Sequence, residues 1–135
     1  MNRQIYRDLL VAQFAALIAP GQVQTVTGHK LATMDGLAPV IHIKSAGSGR
    51  VRENFEDNTG TFYFDVLIYV QRNGWTDAEA CNMVDLLEWL VAENIDANRD
   101  SYYVIDYIDR SKVEEIEDSG APYYKETIPL RVTTT

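Results

Sequence analysis

The side chains best suited to chemistry are few in this chain, and their spacing does not assemble a reaction centre. His29 and His42 are the only histidines, and Cys81 is the only cysteine. His42 alternates with Ile41 and Ile43, so on an extended segment it points away from both, as a surface or partly satisfied polar residue does. A single cysteine excludes an intrachain disulfide and any multi-thiolate zinc site. Cys81 falls in a helical stretch, where it reads as a small buried hydrophobe. The chain contains no HExxH, CxxC or EF-hand pattern and no GxSxG nucleophile turn. No catalytic residue, cofactor site or metal site is expected, and the chain does not read as an enzyme.

Two further segments invite a chemical reading and resist it. Ala46-Gly47-Ser48-Gly49-Arg50 has the glycines of a phosphate-cradling turn. It lacks the terminal Lys-Ser/Thr pair, and an extended segment follows where such a loop needs a helix N-terminus. Glu114, Glu115, Glu117 and Asp118 concentrate carboxylates. Adjacent strand residues point to opposite faces, so at most Glu115 and Glu117 share a side, which is too few for a cation. A solvated acidic edge strand, protected from unwanted pairing by its charge, is the expectation.

Composition narrows the partners. At 135 residues and 46% hydrophobic, the chain fits one folded domain and is not compositionally disordered. No apolar run approaches the roughly 20 residues that span a bilayer, so no membrane partner is expected. Residues 1–7 lead into an interrupted apolar pattern without a signal-peptide cleavage site. The net charge of −8 is unevenly spread: residues 1–67 carry six basic and six acidic side chains, residues 68–135 six basic and fourteen acidic. Such a surface repels phosphate backbones and argues against a protein that grips a duplex.

The elements that position these residues follow from periodicity. A first helix is predicted over residues 3–18, with Tyr6, Leu10, Phe14 and Leu17 on one stripe and Ile5 and Leu9 widening it; Pro20-Gly21 ends it. A short strand is expected within 23–27, and Pro39 introduces another at Val40-Ile41-His42-Ile43-Lys44. Residues 45–60 read as a long Gly/Arg loop or, alternatively, as the tip of a long hairpin. Residues 61–72 form the clearest strand, with Phe62, Phe64, Val66, Ile68 and Val70 on the core face. Tyr63, Asp65, Leu67, Tyr69 and Gln71 lie on a face too aromatic for plain solvent, which a partner or a neighbouring loop must cover in part. Thr76-Asp77-Ala78-Glu79 is a capping box that starts a second helix. Its stripe, Ala80, Val84, Leu87, Val91 and Ile95, is extended by Met83, Leu86 and Leu90, which implies burial on two sides. Trp89 falls on the remaining polar face beside Asp85, Glu93 and Asp96. Strands follow over 102–110, 112–118 and 123–133, and Pro129 predicts that the last is an edge strand or bulged. The fold class expected is α+β: a mixed, mainly antiparallel sheet against two helices, with a long flexible loop or hairpin.

This order of elements resembles that of the tail-terminator, or tail-completion, proteins of long-tailed bacteriophages, the group of the lambda minor tail protein U. The likeness rests on the opening helix around 5–18, the segment Pro39-Val40-Ile41-His42-Ile43 leading into the Gly/Arg loop, the strand 61–72, the helix 77–95 and the closing Tyr123-Tyr124-Lys125-Glu126-Thr127-Ile128-Pro129-Leu130-Arg131-Val132. It covers nearly the whole chain in size, order and texture, without a signature motif. It implies a virion tail protein, assembled in the host cytoplasm, that forms a homohexameric ring on the tail tube. Such a ring stops tube polymerisation and offers a surface to the head-neck connector proteins, while DNA passes through its lumen without specific binding. Arg50, Arg52, Glu53 and Phe55 are then candidates for a tube-docking loop, and Glu114, Glu115, Glu117 and Asp118 for an acidic lumen or edge. Trp89, Tyr63 and Tyr69 are candidates for the subunit interface, since tyrosine and tryptophan are frequent interface anchors.

Three other readings compete. A head-side neck or connector protein shares the size and partners. A DNA-mimic inhibitor needs a regular line of carboxylates on one face, and here the acids divide between a helix and an edge strand. A small enzyme needs a nucleophile, base or metal set.

Overall fold

Alternation along the chain's most apolar strand organises the molecule. In the computed structural model, which describes residues 3–52, 58–98 and 103–134, the elements run α1 (Arg3–Phe14), a 3-10 turn (Ala15–Leu17), β1 (Thr25–Thr27), β2 (Val40–Arg52), β3 (Asn58–Gln71), α2 (Asp77–Ala97), β4 (Tyr103–Tyr107), β5 (Lys112–Asp118) and β6 (Ala121–Thr134). The sheet order is β1-β2-β3-β6-β4, with β5 also paired to β6. β1 runs parallel to β2, and among the described residues the other named strands pair antiparallel. The curled, mostly antiparallel mixed sheet of six strands with two helices is the α+β architecture that the periodicity implies.

Phe62, Phe64, Val66, Ile68 and Val70 are all buried on one face of β3, together with Ile41, Ile43, Ile128, Leu130 and Val132 from its neighbours. Both helices lie on this face. α1 contributes Tyr6, Leu10 and Phe14, and α2 contributes the stripe Ala80, Val84, Leu87, Val91 and Ile95. Tyr6 stacks on Phe62 at 5.0 Å between ring centroids and meets Tyr103 edge-on at 6.1 Å. The helices join through polar atoms, the Gln13 amide donating to Asn94 Oδ1 at 2.9 Å, and β4 joins α1 at the same residue, Tyr103 Oη donating to Gln13 Oε1 at 2.9 Å.

α1 is shorter and narrower-faced than its sequence pattern suggests. The α-helical ladder stops at Phe14, and Ile5 and Leu9 are 42% and 39% exposed. The sheet is reached by one stripe only, because α1 sits toward the β2 side and α2 occupies the rest of the face. α2 starts as its capping box requires: Glu79 N–H donates to Thr76 Oγ1 at 3.1 Å, and Thr76 N–H donates to Glu79 Oε1 at 3.2 Å. Its first turn is anchored further by Tyr124, whose hydroxyl donates to Asp77, and by Arg72, whose guanidinium lies 4.9 Å from the Tyr124 ring centroid. Met83, Leu86 and Leu90 are half-buried on the flanks of the stripe.

Two further readings change. The 45–60 segment is the hairpin alternative rather than a loop: β2 and β3 pair continuously out to Arg52↔Asn58, with a register shift between Ser45 and Gly47. The shift falls where Gly47 adopts φ 152°, a conformation that excludes most side chains. β6 is interior rather than an edge. β3 covers one side of it, and β4 and β5 share the other side in succession. Pro129 is tolerated because its carbonyl faces the junction between those two flanking strands, where Ile108 N–H donates to it at 3.2 Å. The donor that proline lacks would therefore point into a gap in the ladder.

Candidate functional site

The surfaces left over after the core is built are the candidates, and they fall on opposite sides of the sheet. On the open face, away from the helices, the alternation of β3 presents Tyr63, Asp65, Leu67 and Tyr69. Tyr63 serves its own hairpin, with its ring within 4.0 Å of where Cβ atoms on Gly47 and Gly49 would sit. Tyr69 is half-buried under the segment between β1 and β2, where Leu31, Met34, Ala38, Val40, Tyr123 and Ile116 form a small second apolar cluster around it. A neighbouring loop thus covers part of this face. Burial, reinforced by Asp118, raises the pKa of the Tyr69 hydroxyl.

Beside that cluster lies a groove that no sequence pattern announced. Two adjoining clefts, of about 210 and 480 Å³, share Lys30, His42, Tyr69 and Lys125 in their walls. The smaller has an apolar floor of Leu31, Met34, Val40 and Ile116 and includes Asp118; the larger adds Arg7, His29 and Lys44. Both histidines and four of the twelve Lys and Arg residues of an acidic protein therefore line one feature, opposed by a single lining carboxylate. Register explains the convergence. Val40, His42 and Lys44 project from β2 on the open face, Tyr69 is the partner of Val40 on β3, and Lys125 is the partner of Tyr69 on β6. Arg7 arrives from α1, where its Nη1 donates to Ser45 Oγ at 3.2 Å. His29 is held by Thr27, whose Oγ1 lies 3.2 Å from its Nδ1. Burial, followed by the fields of Lys44, His29, Arg7 and Lys125, lowers the His42 pKa, so its imidazole stays neutral at pH 7. Asp65 stands opposite Lys44 and Glu114 opposite Lys125 in the strand register, at the groove's margins.

On the helix side, Trp89 is 55% exposed on the outer face of α2, and Asp85 and Glu93 are exposed one turn to either side of it. Trp89 is therefore not brought together with Tyr63 and Tyr69; the sheet separates them.

The remaining candidates sit at the sheet's ends. Glu114, Glu115, Glu117 and Asp118 lie on β5, which pairs only with β6 and is an edge. Two of them have cationic partners: Arg72 approaches Glu115 at 4.0 Å and Lys112 approaches Glu114 at 4.0 Å. Arg50 and Arg52 belong to the last rungs of the β2–β3 hairpin, paired with Gly60 and Asn58. Glu53 and Phe55 lie outside the described residues. Among the described residues no three His, Cys, Asp or Glu side chains are grouped to hold a metal ion, and no helix is long and apolar enough to cross a membrane.

No family model matches this chain, and no curated protein matches it.

Proposed function

We propose that this chain is a structural virion protein, a tail terminator that forms a homohexameric ring at the end of a phage tail tube. In this reading it halts tube polymerisation, presents the head-joining surface and lets DNA pass without specific binding. It performs no reaction and needs no cofactor. The observation that carries the reading is the placement of opposite charge on opposite faces of a small α+β body: a cationic groove on the open face of the sheet, and an acidic, tryptophan-bearing helix on the other. A head-to-tail ring needs two different patches that complement each other, and this arrangement supplies them. The acidic β5 edge resists stray strand addition, and repeated around a ring it would make a wall that repels DNA phosphates. The β2–β3 hairpin continues past the pairing of β3 with β6, which ends at Thr61↔Thr133, and serves as the arm toward the tube.

Electron microscopy of tails assembled with and without the protein tests the reading. Tails of uncontrolled length, or finished tails that fail to join heads, are expected in its absence. Tails of normal length that join heads without it would refute the assignment.

A further inference from the structure

We propose that the open-face groove is the socket for the outer face of α2 from a second copy of this chain, with Trp89 resting on the apolar floor of the smaller cleft and Asp85 and Glu93 meeting the cationic rim. This names the subunit contact of the ring and rests on the self-assembling reading above.

Three features single out this occupant. The first is chemistry: the groove joins an apolar floor to ammonium groups, so its ligand must join an apolar anchor to carboxylates. The helix segment Asp85–Trp89–Glu93 has that composition in one straight line. Residues four apart share a helix face and lie about 6 Å apart along the axis, so a carboxylate stands on each side of the indole. The second is size. A cavity of roughly 150 Å³ accepts a benzene ring, and the smaller cleft of about 210 Å³ has room for an indole laid on its apolar floor.

The third is charge. Arg72 pairs with Asp77 and Glu115, Lys112 with Glu114, and Arg131 with Asp106. Those pairs lie outside the groove and do not use its cations. Lys125 lies over the Tyr69 ring at 6.0 Å from its centroid, which holds its ammonium at the mouth of the cleft. The lining carboxylate, Asp118, belongs to the smaller cleft, whereas Arg7 and Lys44 line the other half. The carboxylates of an incoming helix thus meet net positive charge on the Lys44 side. Because groove and helix occupy opposite faces of one sheet, each subunit uses its groove on one neighbour and its helix on the other. A contact of that kind is heterologous and closes into a ring when its rotation permits.

Charge-swap complementation tests the contact. One variant carries Lys44→Glu and Lys125→Glu in the groove; the other carries Asp85→Lys and Glu93→Lys on the helix. Lys44, Asp85 and Glu93 are exposed and Lys125 is half-buried, and circular dichroism with urea unfolding checks that both variants fold. In sedimentation or light-scattering measurements the wild-type chain self-associates, and each variant alone associates at least about tenfold more weakly, because like charges now face each other. Mixing the two variants in equal amounts restores assembly, since in an alternating ring every groove meets a complementary helix. Trp89→Ala weakens assembly without adding charge. Wild-type protein that stays monomeric at every concentration overturns the contact, as does assembly insensitive to both charge variants, or a mixture that fails to recover. Tail-length measurements decide the other question: normal tail capping by a non-associating groove variant removes this contact and leaves the terminator reading standing. Swap-rescued rings in a system whose tails need no terminator would do the reverse.

Discussion

Glu126 links the stability of the fold to pH through its burial. It is 3% exposed on the helix side of β6, between Ile68 of β3 and Val113 of β5 in the register. Burial raises its pKa above the ordinary carboxylate value; a hydrogen bond from Ser111 opposes the shift, and the neighbouring charges of Glu88 and Asp85 add to it. The sign follows from linkage. A carboxyl that is easier to ionise in the unfolded chain than in the folded one costs no stability below its unfolded pKa. Stability then falls as pH rises through the unfolded and folded values, so the penalty grows from acid toward neutral pH. Glu126→Gln keeps the shape and removes the charge. The variant should unfold at higher urea than wild type near pH 7.5, with the two midpoints converging near about pH 4, where the glutamate is largely protonated in both states. Equal midpoints at both pH values would mean that Ser111 alone satisfies the buried carboxylate.

At the scale of elements, periodicity was enough to read what packs and too little to read what pairs. The stripe of α2, the capping box at Thr76 and the two faces of β3 follow from spacing along one segment, and the structure has each of them. What spacing cannot express is the neighbour. β6 has the proline of an edge strand yet runs through the middle of the sheet, because the gap that tolerates Pro129 is made by β4 and β5, whose positions depend on long-range pairing. The groove was illegible for the same reason. Arg7, Lys30, Lys44 and Lys125 come from four separate stretches, and each alone reads as a solvated charge. Width of a helix stripe was misleading in α1, where Leu9 belongs to the apolar arc and still faces solvent. Unfolding measurements expose that difference. Leu87→Ala, at a site of 0% exposure, should cost about 2–5 kcal/mol, whereas Leu9→Ala should stay within about 0.5 kcal/mol. A Leu9→Ala penalty comparable to that of Leu87→Ala would place Leu9 in a buried contact that the isolated chain does not make.

For the whole molecule, the proposed roles occupy separate regions: subunit contact across the two faces of the sheet, and tube docking at the far end of the β2–β3 hairpin. Separation makes the functions independently breakable. Arg50 and Arg52 pair with Gly60 and Asn58 at the hairpin's last described rungs, whereas the groove's β2 residues, Val40, His42 and Lys44, belong to the strand's opposite end. Strands rise about 3.3 Å per residue, so Arg50 lies some six residues, or about 20 Å, beyond Lys44. Sites that far apart exceed the Debye length of about 8 Å at physiological ionic strength, so a charge change at one is largely screened at the other. Replacing Arg50 and Arg52 by Glu should therefore leave folding and ring assembly as in wild type while impairing tail capping, read by electron microscopy of tail lengths. The Lys44 and Lys125 variant should lose both assembly and capping, because an arm that docks one subunit at a time forgoes the avidity of a preformed ring. Unchanged capping by the arginine variant would remove the hairpin from tube docking. Loss of assembly in that same variant would instead mean that the arm reaches a neighbouring subunit, making it part of the ring.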